Sequence, residues 1–261
     1  MGTVAQDEPP VTLRMHPTLL QWGPIHLHSY GLLVGLGFLL ALTLAGRRAA
    51  ELSWDRHPIQ TLTVVALVAG LVGARAAYVA MNWGLYRQAP LEILRLDHGG
   101  LVFYGGLAAG LAAAGWVLVR HRLPLWRTLD LLVPPLVAAH ALGRIGCFFN
   151  GCCYGKPTTL PWGVAFPGEG APRHPTQLLE AAFLFLLFLA LRRIERKSAQ
   201  PGTVLALYGL SYGIWRFLIE FLRGDNPAVA LGWTAFQWAS VLLILVSGSA
   251  LGRMARRRAG G

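Results

Sequence analysis

A chain of 261 residues that is 54% hydrophobic and only 13% charged is too poor in charge for a soluble globular domain, where about 25% is usual. With a mean hydropathy of +0.49, it reads as a polytopic membrane protein of the all-α class. The formal net charge of +11 does not point to nucleic acid, because the basic residues fall in short clusters between apolar runs, where anionic lipid headgroups meet them.

The chain opens on MGTVAQDEPPVTLRMHP, which is polar and proline-bearing and has no basic start followed by an apolar stretch. No cleaved signal peptide is expected, so the first span has to act as the export signal. A crossing needs about 20 apolar residues, and seven stretches qualify: Tyr30–Ala45, Ile59–Met81, Leu101–Val119, Leu129–Ile145, Thr176–Leu191, Thr203–Leu222 and Trp233–Leu251. The fourth and fifth are short and carry polar groups. Glycine-rich runs over Gly31–Gly37 and Gly105–Gly115 suit close helix packing. All 261 residues are expected to form a single transmembrane domain. Within it, residues 148–175 form a small periplasmic cap punctuated by Pro157, Pro161, Pro167 and Pro172.

Lysine and arginine set the orientation. One side collects Arg47, Arg48, Arg56, Arg120, Arg122, Arg127, Arg192, Arg193, Arg196, Lys197, Arg253, Arg256, Arg257 and Arg258. The other holds Arg14, Arg87, Arg95, Lys156, Arg173 and Arg223. Fourteen against six puts the C-terminus in the cytoplasm, with the N-terminus and the cap outside. Trp22, Trp83, Trp162 and Trp233 lie near span ends, where an indole bridges headgroup and tail.

Charges inside the apolar runs are the functional suspects, since an intramembrane cation is costly unless it meets an anion or water. Arg75 sits in the second span with Tyr78 one turn later. Arg144 closes the apolar run that begins at Asp130 and opens GRIGCFFNGCCYG, Gly143 to Gly155. In SYGIWRFLIEFLRGD, the residues Tyr212, Arg216, Glu220 and Arg223 share one face if the helix continues. Arg216 and Glu220 can neutralise each other, whereas Arg144 and Arg223 have no obvious protein anion. Arginines converging from several helices suit a phosphate or phosphodiester headgroup. His140 lies four residues before Arg144 and can face the same way; His98 and His174 sit in loops. A neutral imidazole can accept a thiol or hydroxyl proton.

Cys147, Cys152 and Cys153 are too few for a disulfide scaffold. As a zinc site they have poor spacing and no second cysteine pair. A cysteine nucleophile would need a base, although Arg144 could supply the electropositive setting.

Taken together, these residues resemble the prolipoprotein diacylglyceryl transferases over nearly the whole chain. The matching pieces are SYG at Tyr30, GARAAY from Gly73 to Tyr78, Asp130 with Pro134, GRIG at Gly143–Gly146, Asn150 and Gly155. RHPTQLLEA from Arg173 and the YxxxRFxxEFxR run from Tyr212 to Arg223 complete the set. Three positions depart from the family pattern. Its signature resembles GRxxNFxNxExxG, where Cys147 here replaces an asparagine and Cys152 a glutamate, and Tyr104 in FYGG replaces a histidine.

The resemblance implies a seven-span enzyme of the bacterial inner membrane, without cofactor or metal. Its partners are phosphatidylglycerol, the lipobox peptides of prolipoproteins and membrane lipids. It moves the diacylglyceryl group of phosphatidylglycerol onto the lipobox cysteine sulfur and releases glycerol phosphate. Mapped onto this chain, Arg144, Arg216, Tyr104 and His140 are the catalytic candidates. Tyr30, Arg75, Asn150, Gly155, Tyr212, Glu220 and Arg223 are the substrate-binding ones. Because tyrosine titrates near 10, the base could be His140, water or the lipid itself. Other classes stay open: a lipid-binding or transport paralogue that kept the arginines, or a transferase with another acceptor. The paired replacement at Cys147 and Cys152 implies that the two positions touch. One disulfide from Cys147 to Cys152 or Cys153 is expected, against the rival of three small thiols filling space.

Overall fold

In hydrocarbon every backbone N–H and C=O must be paired within the segment, so long apolar runs become helices. The computed structural model describes residues 18–22, 25–95, 99–197 and 200–259. A short antiparallel hairpin of β1 (Thr18–Trp22) and β2 (Ile25–His28) leads into α1 (Ser29–Glu51). Asp55 accepts the His57 N–H at 2.9 Å and so starts α2 (Arg56–Met81), which satisfies one of the orphan donors of a helix N-terminus. One turn, α3 (Trp83–Tyr86), and a 3-10 turn at Pro90–Leu94 precede α4 (Phe103–Arg120). Then come α5 (Leu125–Phe149), with Pro134 and Pro135 inside it, and α6 (Thr176–Lys197). The chain continues through α7 (Thr203–Ile219) and a 3-10 turn at Glu220–Leu222. A second small ladder, β3 (Ala228–Ala230) with β4 (Trp233–Thr234), leads to α8 (Ala235–Ala259).

Among the described residues six helices are long and apolar enough to cross a membrane: α1, α2, α4, α5, α7 continued to Leu222, and α8. This is the all-α polytopic class expected, with six such helices rather than seven. The fifth expected span is a helix, but every 18-residue stretch of α6 includes Glu180, Arg192 and Arg193. Those ionisable residues take it out of the apolar set. The two β-hairpins were not expected from the sequence.

The chain divides into two compact units, one of residues 1–40 and 133–261 and one of 41–132. In the second unit α2 and α4 touch backbone to backbone. A Cβ at Gly73 would collide with the Ala109 methyl and stand 2.7 Å from the Gly105 carbonyl. One at Gly105 would collide with the Ala77 methyl and stand 2.7 Å from the Gly73 carbonyl. Small residues permit this approach where helix packing has no hydrophobic drive of its own. Beside the seam Arg75, 6% exposed, donates from Nε to the Ile93 carbonyl at 2.9 Å. Its Nη1 donates to Gly99 at 2.7 Å and Gly100 at 3.2 Å, and its Nη2 to Glu92 at 2.6 Å and Arg95 at 2.8 Å. Gly99 and Gly100 sit at φ +73° and +80°, a backbone that glycine adopts without penalty. A Cβ at Gly100 would stand 2.7 Å from Arg75 Nη1.

In the first unit Val133, Val137 and Ala141 of α5 pack with Leu184, Leu187 and Leu191 of α6 and Val204 of α7. Helix α8 lies against α7, where Gly213 faces Ile244 and Gly209 faces Ser247. The proline-rich segment after α5 is folded, as expected. Val164 and Arg173 exchange backbone hydrogen bonds at 3.0 and 2.9 Å, and Val164 and Phe166 close over Phe148.

Candidate active site

The site forms around a carboxylate that the sequence reading did not single out. Glu180, 1% exposed, interrupts the apolar face of α6, and helical spacing turns it toward α5 and α7. Its Oε1 accepts the Tyr212 hydroxyl at 3.0 Å and lies 3.7 Å from His140 Nε2. Its Oε2 lies 3.0 Å from Arg144 Nε. His140 sets its ring edge against Tyr212, with centroids 5.5 Å apart, and Tyr212 stacks on Tyr208. The anion missing for Arg144 in the sequence is therefore Glu180. A lone glutamate within QLLEAAFLFLLFLAL was the signal that could have found it.

A second buried pair follows on α7. Arg216 Nη1 lies 2.6 Å from Glu220 Oε2, and the guanidinium rests 4.6 Å above the Phe236 ring. Glu220 Oε1 accepts from Asn226 Nδ2 at 2.7 Å and Thr234 Oγ1 at 2.8 Å. Both ion pairs are close, yet neither has hydrogen-bond geometry. Arg144 Nε, Arg216 Nη1 and Glu220 Oε2 are buried and have no hydrogen-bond partner among the described residues. Their charges are matched while their directional capacity is left over. An unmade hydrogen bond at a buried charged group costs more than its presence gains, so these atoms suit a polar ligand.

The expected single face from Tyr212 to Arg223 is interrupted. The α-helix ends at Ile219, and Arg223 follows the 3-10 turn with extended backbone. Arg223 has its own anion, Asp225, through Nε to Oδ1 at 3.0 Å and Nη2 to Oδ2. Burial would raise the Asp225 carboxyl, but the Arg223 guanidinium holds it below its ordinary value. Burial opposes Arg223 in turn, and Asp225 outweighs it and holds the guanidinium above its own ordinary value. In the cap the Tyr154 hydroxyl donates to Glu169, which depresses that carboxyl and raises the phenol. Arg173 pairs with Glu169 as well.

The other candidates fall as follows. Tyr30 opens α1, is 44% exposed, and packs its ring against Gly146. Asn150 is exposed just past the end of α5. Gly155 is a crossing point, since a Cβ there would stand 2.6 Å from the Leu222 carbonyl and 2.8 Å from the His174 Cβ. Arg75 and Tyr104 belong to the other unit. The five donors of Arg75 are all engaged by carbonyls there. Tyr104 is 79% exposed, its ring edge-on to Phe103. His98 lies outside the described residues. His174 is buried and accepts the Trp162 indole N–H at 3.3 Å, a structural role.

The cysteines correct another expectation. All three are free, so the expected disulfide is not formed, but their sulfurs lie within 4.8 Å of one another.

Residues 17–252 match the family model described as prolipoprotein diacylglyceryl transferase. The chain belongs to that family. A phosphatidylglycerol--prolipoprotein diacylglyceryl transferase of Clostridium tetani is 33% identical over 237 residues, covering 89% of this chain and 95% of that protein. Proteins of the same name from Nitratidesulfovibrio vulgaris strain DP4 and Photobacterium profundum are each 36% identical. They cover 89% and 88% of this chain and the same shares of themselves. For a member of the diacylglyceryl transferase family, arginines with buried donor atoms to spare are the feature that calls for an anionic substrate.

Proposed function

We propose that this chain transfers the diacylglyceryl group of phosphatidylglycerol to the thiol of a lipobox cysteine in prolipoproteins, forming a thioether and releasing glycerol phosphate. The observation that carries the reading is the pair of charge-matched arginines, half-buried Arg144 and buried Arg216, whose buried Nε and Nη1 lack hydrogen-bond partners among the described residues. A phosphodiester offers the oxygens those donors need. Arginine's planar fork suits two phosphate oxygens at once, and charge stabilisation preorganised in a dry site is usually the largest catalytic contribution. His140 Nε2 lies 3.7 Å from Glu180 Oε1 and one turn before Arg144 on α5, so it is the imidazole candidate to take the thiol proton. Tyr30, Asn150 and Tyr212 would orient the headgroup. Glu220 holds Arg216, and Arg223 with Gly155 shapes the rim.

In the step itself, the acceptor sulfur loses its proton and attacks the glycerol carbon. The carbon–oxygen bond to phosphate breaks, and its electron pair leaves with the phosphate. Charge accumulates on the departing oxygen, where Arg144 and Arg216 can meet it.

The same reading places the protein in the bacterial inner membrane with its C-terminus in the cytoplasm and residues 148–175 as an outer cap. Helix α6 has 22 residues, about 33 Å at 1.5 Å per residue, and counts as a seventh crossing whose Glu180 is neutralised by Arg144. A C-terminal alkaline phosphatase fusion should then be inactive and a fluorescent-protein fusion bright; the reverse overturns the orientation. The test of function is direct. The purified protein in phosphatidylglycerol nanodiscs should convert a lipobox peptide to a thioether-linked diacylglyceryl peptide, with glycerol phosphate released in equal amount. Lipid turnover without peptide product would reassign the acceptor, and no turnover would overturn the reading.

A further inference from the structure

The sequence spacing of Cys147, Cys152 and Cys153 looks unsuited to a metal, but spacing along the chain is not spacing in the fold. Cys147 lies in the last turn of α5. Gly151, at φ +66°, reverses the chain, and the Cys152 N–H returns to the Cys147 carbonyl at 3.1 Å. Cys153 is itself held at φ +63°, a conformation that strains a non-glycine residue. Two buried side chains of α6 fix this turn: Gln177 Nε2 donates to the Cys152 carbonyl at 2.6 Å, and Thr176 Oγ1 to the Cys153 carbonyl at 2.8 Å. The outcome is three free, half-buried thiols with all sulfurs within 4.8 Å of one another.

We propose that Cys147, Cys152 and Cys153 form a three-sulfur site for a thiophilic divalent cation of the zinc class, with one coordination position left open for the acceptor thiol. The last clause rests on the transferase reading above; the metal site does not. Zinc–sulfur bonds of about 2.3 Å in tetrahedral geometry set sulfurs about 3.8 Å apart, so small side-chain rotations close the cluster onto an ion. Soft thiolates select such ions over calcium or magnesium. Three thiolates around a divalent ion leave one net negative charge, and cations stand ready for it. Arg223 forms a backbone bridge with Gly155, two residues after Cys153, and Arg144 lies one turn before Cys147 on α5.

Three protein ligands and an open fourth position are the pattern of catalytic rather than structural zinc. A thiol that coordinates the ion is deprotonated outright, its proton passing to His140. The bound sulfur then attacks the glycerol carbon, and the carbon–oxygen bond breaks toward the phosphate, with no change of oxidation state. Such a site would make the acceptor thiol easier to deprotonate, in a chain that carries Tyr104 where the family pattern has a histidine.

The test uses the full-length chain in nanodiscs, reduced and stripped of metal, with Co2+ as the probe. One Co2+ per chain should bind with a thiolate-to-cobalt charge-transfer band, displaced by Zn2+ and weakened at least tenfold in Cys147→Ser, Cys152→Ser and Cys153→Ser. A lipobox peptide should shift the ligand-field bands, and its serine analogue should not. Absence of the band, or a band that survives in the triple serine variant, overturns the site. A band indifferent to the peptide thiol overturns the open position. Transfer undiminished after chelation in the unmutated chain overturns the catalytic role without appeal to a variant's folding. Cobalt binding in a protein that transfers no lipid would instead count against the transferase reading and leave the metal site standing.

Discussion

Arg75 and Arg144 are both arginines inside apolar helices, and they are used in opposite ways. Arg75 has no need of an anion, because five backbone carbonyls between Glu92 and Gly100 surround its guanidinium. Arg144 has a buried carboxylate 3.0 Å away and still an Nε proton without an acceptor. The first cation is saturated and holds a loop; the second is neutralised but unsaturated. An intramembrane charge therefore signals function most strongly when its directional bonds are incomplete, not simply when it exists.

The sharpest way to break this contrast is to remove the carboxylate. Glu180→Ala strands Arg144 and takes the acceptor from Tyr212, and breaking a buried pair costs about 3–5 kcal/mol. The unfolding midpoint in detergent should fall steeply and transfer should vanish; wild-type stability would mean the cluster does not depend on Glu180. Next come the arginines. Arg144→Ala and Arg216→Ala should lower transfer by about 10²–10³ per folded molecule, as loss of one preorganised donor does. Lysine should rescue poorly because it lacks the fork. Full activity in either alanine variant removes that residue from the headgroup site.

Arg75→Lys tests the other half. An ammonium has three donors for five carbonyls, and stranded buried acceptors cost about 1–3 kcal/mol. The variant should show earlier proteolysis between residues 88 and 100, with transfer per folded molecule kept. The reverse pattern, normal stability with lost transfer, would put Arg75 back beside Arg144.

The smallest effect concerns Arg223 and Asp225. Asp225 sits below its ordinary value in the folded protein, so its contribution is present above the unfolded value near ~3.9 and fades as pH falls through the lower folded value. With the Asp225 side chain 43% exposed, it is worth at most about 1 kcal/mol. The gap in melting temperature between wild type and Asp225→Asn should close between pH 5 and pH 3, both values spanning that carboxylate range. A gap unchanged at pH 3 would show that the contact is not ionic.

Much of this was legible in the sequence because the membrane imposes simple rules. Apolar length gave the helices, and the four-residue spacing of Arg216 and Glu220 gave their ion pair. Partners far apart in the chain were not legible: Glu180 meets Arg144 across 36 residues, a distance no periodicity reports. Local geometry misled in two places. The α-helical face was carried past Ile219, where the backbone tightens into a 3-10 turn. The cysteines were judged by their order, whereas a positive φ at Gly151 and Cys153 gathers them. The saturation of Arg75 is not legible either, because a sequence shows a charge but not the carbonyls around it.

The glycine seam between α2 and α4 has a mechanical consequence. Two rods pressed together until a methyl group cannot pass between them move as one beam. To slide along each other, they would have to lift Ala77 and Ala109 over the opposing backbone. Probes placed at matching ends of the two helices should therefore keep a fixed separation throughout turnover. This seam is welded, so any gap that opens between helices has to open along some other boundary.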